Sequence, residues 1–104
     1  QERVPVMDFR IVWSPNSRAD LKSIVSFIAE EDPLTAQKFG FKIIERVEQA
    51  AKFPESGRIV PEFGNPTVRE LIVNSYRIAY RVNMDAKEID IARVWPAKRG
   101  IPEL

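Results

Sequence analysis

The run VRELIVNSYRIAYRV, residues 68–82, holds two stretches of β-branched and aromatic residues split by Asn74-Ser75. A two-residue gap of this type reads as a tight hairpin turn. Val68–Val73 and Tyr76–Val82 are therefore expected to be antiparallel neighbours. Side chains alternate faces along a strand. Tyr76, Ile78, Tyr80 and Val82 share one side, and Arg77, Ala79 and Arg81 the other. The apolar side calls for a cover. The side with two arginines raises the question of what the cations are for.

The chain on either side supplies the cover. Toward the C-terminus, NMDAKE is a second turn and EIDIARV, residues 88–94, a further strand. Toward the N-terminus, Asp8–Trp13 alternates, with Phe9, Ile11 and Trp13 on one side. Ser14-Pro15 then has the N-cap and first-turn proline of a helix start. Leu21, Ile24, Val25 and Ile28 recur at helical spacing up to about Glu31. Asp32-Pro33 repeats the start signal, and Ala36, Phe39, Ile43, Val47 and Ala50 form a stripe that Pro54 ends. Gly40 lies beside that stripe, either to let two helices approach or as a tolerated residue costing about 1 kcal/mol against alanine. The short link between the helices predicts an antiparallel helical hairpin. The order β-α-α-β-β-β thus predicts an α+β fold, an antiparallel sheet with the N-terminal helical hairpin packed on one face.

The length of 104 residues suits one domain, read as residues 7–104, with residues 1–6 before Met7 as an extension or cloning remnant. The turn-rich stretch at residues 53–66 is too short to link two domains. Sixteen Lys and Arg against fifteen Asp and Glu leave a net charge of +1, so any basic surface must come from local arrangement. The absence of cysteine removes disulfides and thiolate metal sites. The absence of histidine removes the commonest general base and metal ligand. No cofactor or metal is expected. With no apolar run of membrane-spanning length and no visible signal peptide, the expected location is the cytoplasm.

Alanine between Arg77 and Arg81 keeps their face low, which predicts accessible guanidinium groups suited to carboxylates or phosphates. In the last strand Ile89, Ile91, Arg93 and Trp95 share one side and Asp90, Ala92 and Val94 the other. Alternation alone does not say which faces the helices. If Arg93 joins Arg77 and Arg81, a cationic patch forms, with Lys98 and Arg99 just beyond. If Asp90 does, cross-strand ion pairs to Glu70, Glu88 or Asp90 make an ordinary solvated face, each worth about 0.2–1 kcal/mol. Trp95 is either a binding anchor or a core cap beside Trp13. Tyr76 and Tyr80 read as core residues. Arg58 reads as a turn residue and Arg69 as the partner of a carboxylate.

The order of elements, FPESGR after the second helix, VRELIVNSYRIAYRV and the terminal IDIARVWPAKR together resemble the RelE/ParE superfamily of toxins from type II toxin–antitoxin modules. The likeness spans Phe9 to Arg99. It implies the fold expected above and a cognate antitoxin that wraps and neutralises the toxin. It also implies one of two targets. RelE-like members cleave mRNA on the ribosome with a cluster of Arg, Lys and often Tyr or His. ParE-like members act on DNA gyrase and are not known as nucleases. In this chain the RelE sheet arginine falls at Ile72. Arg99 matches a RelE arginine, but the C-terminal tyrosine falls where the chain reads GIPEL. The ParE-like pattern VREL…YRI.YRV matches closely, with Trp95-Pro96 departing from it. The resemblance therefore implies a ParE-like inhibitor rather than an enzyme, with no catalytic residue assigned. The residues expected to meet antitoxin or target are Arg77, Arg81, Arg93, Trp95, Lys98 and Arg99. A RelE-like endonuclease acting on ribosome and mRNA, or a non-toxic member that only binds antitoxin, are the alternatives.

Overall fold

The computed structural model describes residues 8–100 and 102–104, so the reading of residues 1–6 as an extension lies outside the described residues. The elements are β1 (Arg10–Trp13), α1 (Pro15–Glu31), α2 (Pro33–Lys52), β2 (Arg58–Ile59), β3 (Val68–Val73), β4 (Tyr76–Asn83), β5 (Glu88–Pro96) and a 3-10 turn (Ala97–Arg99). The sheet order is β1-β5-β4-β3-β2. The helical hairpin covers one face, as expected for the α+β reading. Two details go beyond it. β1 pairs with β5 in parallel, and the two-residue β2 extends the opposite edge.

Each helix starts where its cap lies. Ser14 Oγ accepts from Ser17 N–H at 2.9 Å, and Asp32 Oδ1 from Thr35 N–H at 3.2 Å, each followed by a proline. Ser14 also ties the start of α1 to the sheet. Its N–H donates to Ile91 O and its hydroxyl to Ala92 O. α2 is the buried helix, with Ala36, Phe39, Ile43, Val47, Ala50 and Ala51 all inside. Burial of Phe39, Ile43 and Val47 contributes about 1.5–3 kcal/mol each. These pack on Leu71, Val73, Ile78, Tyr80, Val82, Ile89, Ile91 and Val94 of the sheet. α1 lies further out. Of its residues only Ser17 is fully buried, while Leu21, Ile24, Val25 and Ile28 are half-buried against the core. A Cβ at Gly40 would meet nothing within 4 Å, which favours the tolerated-glycine reading over close helix approach.

The inward face of β5 is set by a β-bulge. Tyr80 pairs with Ile91 and Ala79 with Arg93, leaving Ala92 without an opposite residue. An extra residue shifts the phase of alternation. Ile89 and Ile91 point inward before the bulge and Val94 after it, all at 0–1 % exposure. Asp90, Arg93 and Trp95 therefore pair with Arg81, Ala79 and Arg77 on the open side. Both conditions left open by the sequence are met at once.

Candidate functional site

The open face of the sheet is not a free cationic patch. Arg77, expected to project accessibly, is 6 % exposed. Its Nε donates to Glu70 Oε1 at 2.6 Å, and its Nη1 and Nη2 donate to the two carboxylate oxygens of Glu62 at 2.9 and 2.8 Å. Glu70 is 1 % exposed and also accepts from Arg58 Nε at 2.5 Å. The low alanine at position 79 has the opposite effect to the one expected. Glu70 lies directly across from Ala79, and Arg77 is its diagonal neighbour, so the guanidinium folds down over the small residue onto the carboxylate. The β2–β3 loop then brings Glu62 over the top. Arg77 holds the Glu62 carboxyl down at about 2, chiefly through the two hydrogen bonds. Glu62 and then Glu70 raise the pKa of Arg77 in turn.

The other expected residues are dispersed. Arg81 is exposed and sits across from Asp90. Desolvation, then the nearby Glu88 charge, push the Asp90 carboxyl up. Arg93 turns toward the edge of the sheet, where its Nε and Nη2 donate to the two oxygens of Asp20 on α1 at 2.7 and 3.0 Å. That contact raises the Arg93 pKa. Trp95 lies under Arg93, whose guanidinium carbon is 4.8 Å from the ring centroid. It is absent from the cluster that Trp13 packs on. Lys98 and Arg99 are exposed in the 3-10 turn. Arg58 is a strand residue of β2 bound to buried Glu70, not a turn residue. Arg69 pairs with no carboxylate among the described residues. It donates instead to the carbonyls of Pro66, Glu55 and Gly57.

The two strand tyrosines differ in exposure. Tyr80 is fully buried. Its hydroxyl donates to Pro54 O at 2.8 Å and accepts from Gly57 N–H at 3.1 Å, and burial raises its pKa. Tyr76 is half-buried, with its ring 5.2 Å from that of Phe39. Among the described residues no three His, Cys, Asp or Glu are grouped as a metal would need, and no helix is long and apolar enough to cross a membrane.

Two further clefts lie along the flank of α1 and the adjoining ends of α2 and β5. Phe27 is 67 % exposed. A cleft of about 300 Å³ between α1 and the last residues of β5 includes Arg99 in its lining. A second, of about 420 Å³, lies between the end of α1, α2 and the β3–β4 turn, beside Lys38 and Lys42. Tyr76 borders both. The half-burial of Ile24 and Ile28 in an otherwise regular helical pattern carries no signal in the sequence that these clefts exist.

Residues 11–101 match the family described as ParE toxin of type II toxin-antitoxin system, parDE. A curated relative, Toxin RelE2 of Caulobacter vibrioides, is 34% identical over 74 residues, covering 70% of this chain and 80% of the relative. Toxin RelE1 of the same organism is 24% identical over 91 residues, 86% of this chain and 94% of the relative. Among solved structures, a chromosomal ParDE toxin–antitoxin system from P. aeruginosa superposes with a TM-score of 0.69 at 26% identity, over 85% of this chain and 95% of that one. The toxin–antitoxin complex RelBE2 from Mycobacterium tuberculosis shares the fold, with a TM-score of 0.60 at 15% identity over 86% and 99% of the two chains.

Proposed function

The chain belongs to the ParE toxin family of type II toxin–antitoxin systems, and from that premise we propose that it acts by binding, with DNA gyrase as target, and is neutralised by a cognate antitoxin. The observation that carries the binding reading is the engagement of the sheet residues. Metal-free cleavage of RNA needs a group to take the 2′-hydroxyl proton and cations to stabilise the phosphate. Tyr80 is sealed in the core, Arg77 is held by two carboxylates and Arg93 by a third, and the sequence has no histidine. What remains accessible, Arg81, Lys98 and Arg99, suits recognition of an acidic surface. The protein similar in fold from P. aeruginosa comes from a ParDE toxin–antitoxin system, which supports an antitoxin partner for this chain.

The test is induction of the chain alone in bacterial cells, with labelled thymidine and methionine followed side by side over the first minutes. Early loss of DNA synthesis with translation intact is the expected outcome. Arg81→Glu should then delay it. Early loss of translation with DNA synthesis holding would replace the gyrase reading by ribosome-dependent RNA cleavage. If neither falls, the chain is a non-toxic member that binds antitoxin only.

A further inference from the structure

We propose that the two Nη atoms of Arg77 form a recessed carboxylate-binding seat, which Glu62 fills as an internal stand-in and which a carboxylate of another molecule takes when the β2–β3 loop lifts. The seat is built from below. Glu70 is fully buried and accepts from both Arg77 Nε and Arg58 Nε, so one inner carboxylate fixes two guanidinium groups. With Nε engaged there, Arg77 offers Nη1 and Nη2 as a fork. The fork holds the two oxygens of the Glu62 carboxylate at 2.9 and 2.8 Å, the paired geometry in which arginine binds carboxylates best. Arg58 is near enough for its charge to add to the hold on Glu62. Without Glu62, two cations would share one buried carboxylate, and a positive charge would stand uncompensated at the seat.

Glu62 is an occupant of this seat and not part of its frame. Its side chain is 42 % exposed, whereas that of Glu70 is sealed. It stands on a loop, residues 61–67, in which every residue is exposed, between buried Val60 and Val68. Among the described residues Glu62 is the loop's one side chain hydrogen-bonded to the sheet. Asn65 and Thr67 bond each other, and the N–H groups of Phe63 and Gly64 donate to Val60 O at the loop's own base. An incoming carboxylate would make the same two bonds, and the released Glu62 would be solvated, so the exchange is nearly balanced. What opposes it is the high local concentration of a tethered competitor. Acid does not open the seat, because Arg77 keeps the Glu62 carboxyl ionised down to about 2. The fork is recessed, with Arg77 only 6 % exposed. A carboxylate on a slim stem reaches it, whereas a phosphodiester carries a sugar on either side. Arg77 keeps Glu70 in both states, so the seat binds without offering a proton acceptor, and it stands independently of the target proposed above.

The experiment removes the stand-in and supplies a substitute. Acetate is titrated into the full chain and its Glu62→Ala variant at constant ionic strength with chloride, and the Arg77 Nε–H resonance is followed by nitrogen-15 NMR. In Glu62→Ala the resonance should shift saturably. The parent should bind acetate at least about 10-fold more weakly, because its own Glu62 competes from a tether. Glu62→Gln, which keeps the shape and loses the charge, should fall between the two and serves if the alanine variant is too unstable to study. Two further probes in Glu62→Ala identify the ligand. A capped Pro-Glu-Phe peptide, copying residues 61–63, that binds at least about 10-fold tighter than acetate would mark an acidic side chain as the occupant, and equal affinity a small free carboxylate. Either result upholds the seat. Tighter binding of inorganic phosphate than of any carboxylate would overturn the ligand class. No saturable shift of Arg77 in either Glu62 variant, or the same titration in all three proteins, would overturn the seat and leave Glu62 a structural ion pair.

Discussion

Glu70 illustrates how a single residue can hold a surface closed. Its carboxylate is fully buried yet accepts from two arginines, and removal of one partner of such a pair leaves a charge with no compensation. Glu70→Gln is expected to cost about 3–5 kcal/mol in urea unfolding. Arg58→Met, whose side chain is 59 % exposed, should cost less than about 1 kcal/mol. Equal losses would mean that Arg77 does not depend on Glu70. Two glycines should respond in opposite directions to alanine. At Gly57 a Cβ would lie 2.5 Å from Tyr80 Oη and 2.7 Å from the Glu70 carbonyl oxygen. The backbone atom cannot yield as a flexible side chain would, so Gly57→Ala should destabilise by about 1–3 kcal/mol. Gly40→Ala, in open space on α2, should stabilise by about 1 kcal/mol. The midpoints of the two variants should move to opposite sides of the parent. The burial of Arg77 was not legible in the sequence, because it depends on Glu62, fifteen residues away, folding over it from a loop.

At the scale of elements, helix starts were the most legible feature, since Ser14-Pro15 and Asp32-Pro33 state cap and first turn in adjacent residues. The inward face of β4 was equally plain, as Ile78, Tyr80 and Val82 alternate with Arg77, Ala79 and Arg81. β5 was not, because the bulge at Ala92 changes the phase of the backbone without changing the kind of residue that follows. β2 is two exposed residues long and offers no pattern to read. Beyond Trp13 the edge of β5 has no strand beside it, and Asp20 of α1 serves there in place of one. Its Oδ2 accepts from Val94 N–H at 3.0 Å while the carboxylate grips Arg93. Asp20→Ala should cost about 1.5–3 kcal/mol, the range for hydrogen bonds to a charged group. In hydrogen exchange it should expose the Val94 amide selectively while Ile78, opposite on β4, stays protected. An unchanged Val94 amide would mean that packing alone holds α1 to the sheet edge.

For the whole molecule, the carboxylate bound to Arg77 gives stability a definite dependence on acid. The Glu62 pKa falls from the ordinary 4.5 to about 2 on folding, so its contribution is complete above the unfolded value. That contribution should fade as pH drops from about 4.5 toward 2. Asp90 works against this trend, because its carboxyl is pushed up in the fold and protonation relieves it. Urea midpoints measured from pH 5 to pH 2 should fall more gently in Glu62→Gln than in the parent, and parallel curves would show that the Arg77–Glu62 contact carries no stability. The parallel pairing of β1 with β5 acts on a different axis, that of time. Arg10 on the first strand bonds Glu88 on the last, 78 residues away, and the core residues Ile89, Ile91 and Val94 all lie on that last strand. Contacts so distant along the chain form late. During translation the helical hairpin emerges well before the strand that completes its core. Until β5 leaves the ribosome, a growing toxin chain has neither its finished sheet nor the cleft beside Trp95. Synthesis itself therefore delays the appearance of a toxin able to act, and an antitoxin made slightly earlier would already be waiting when it does.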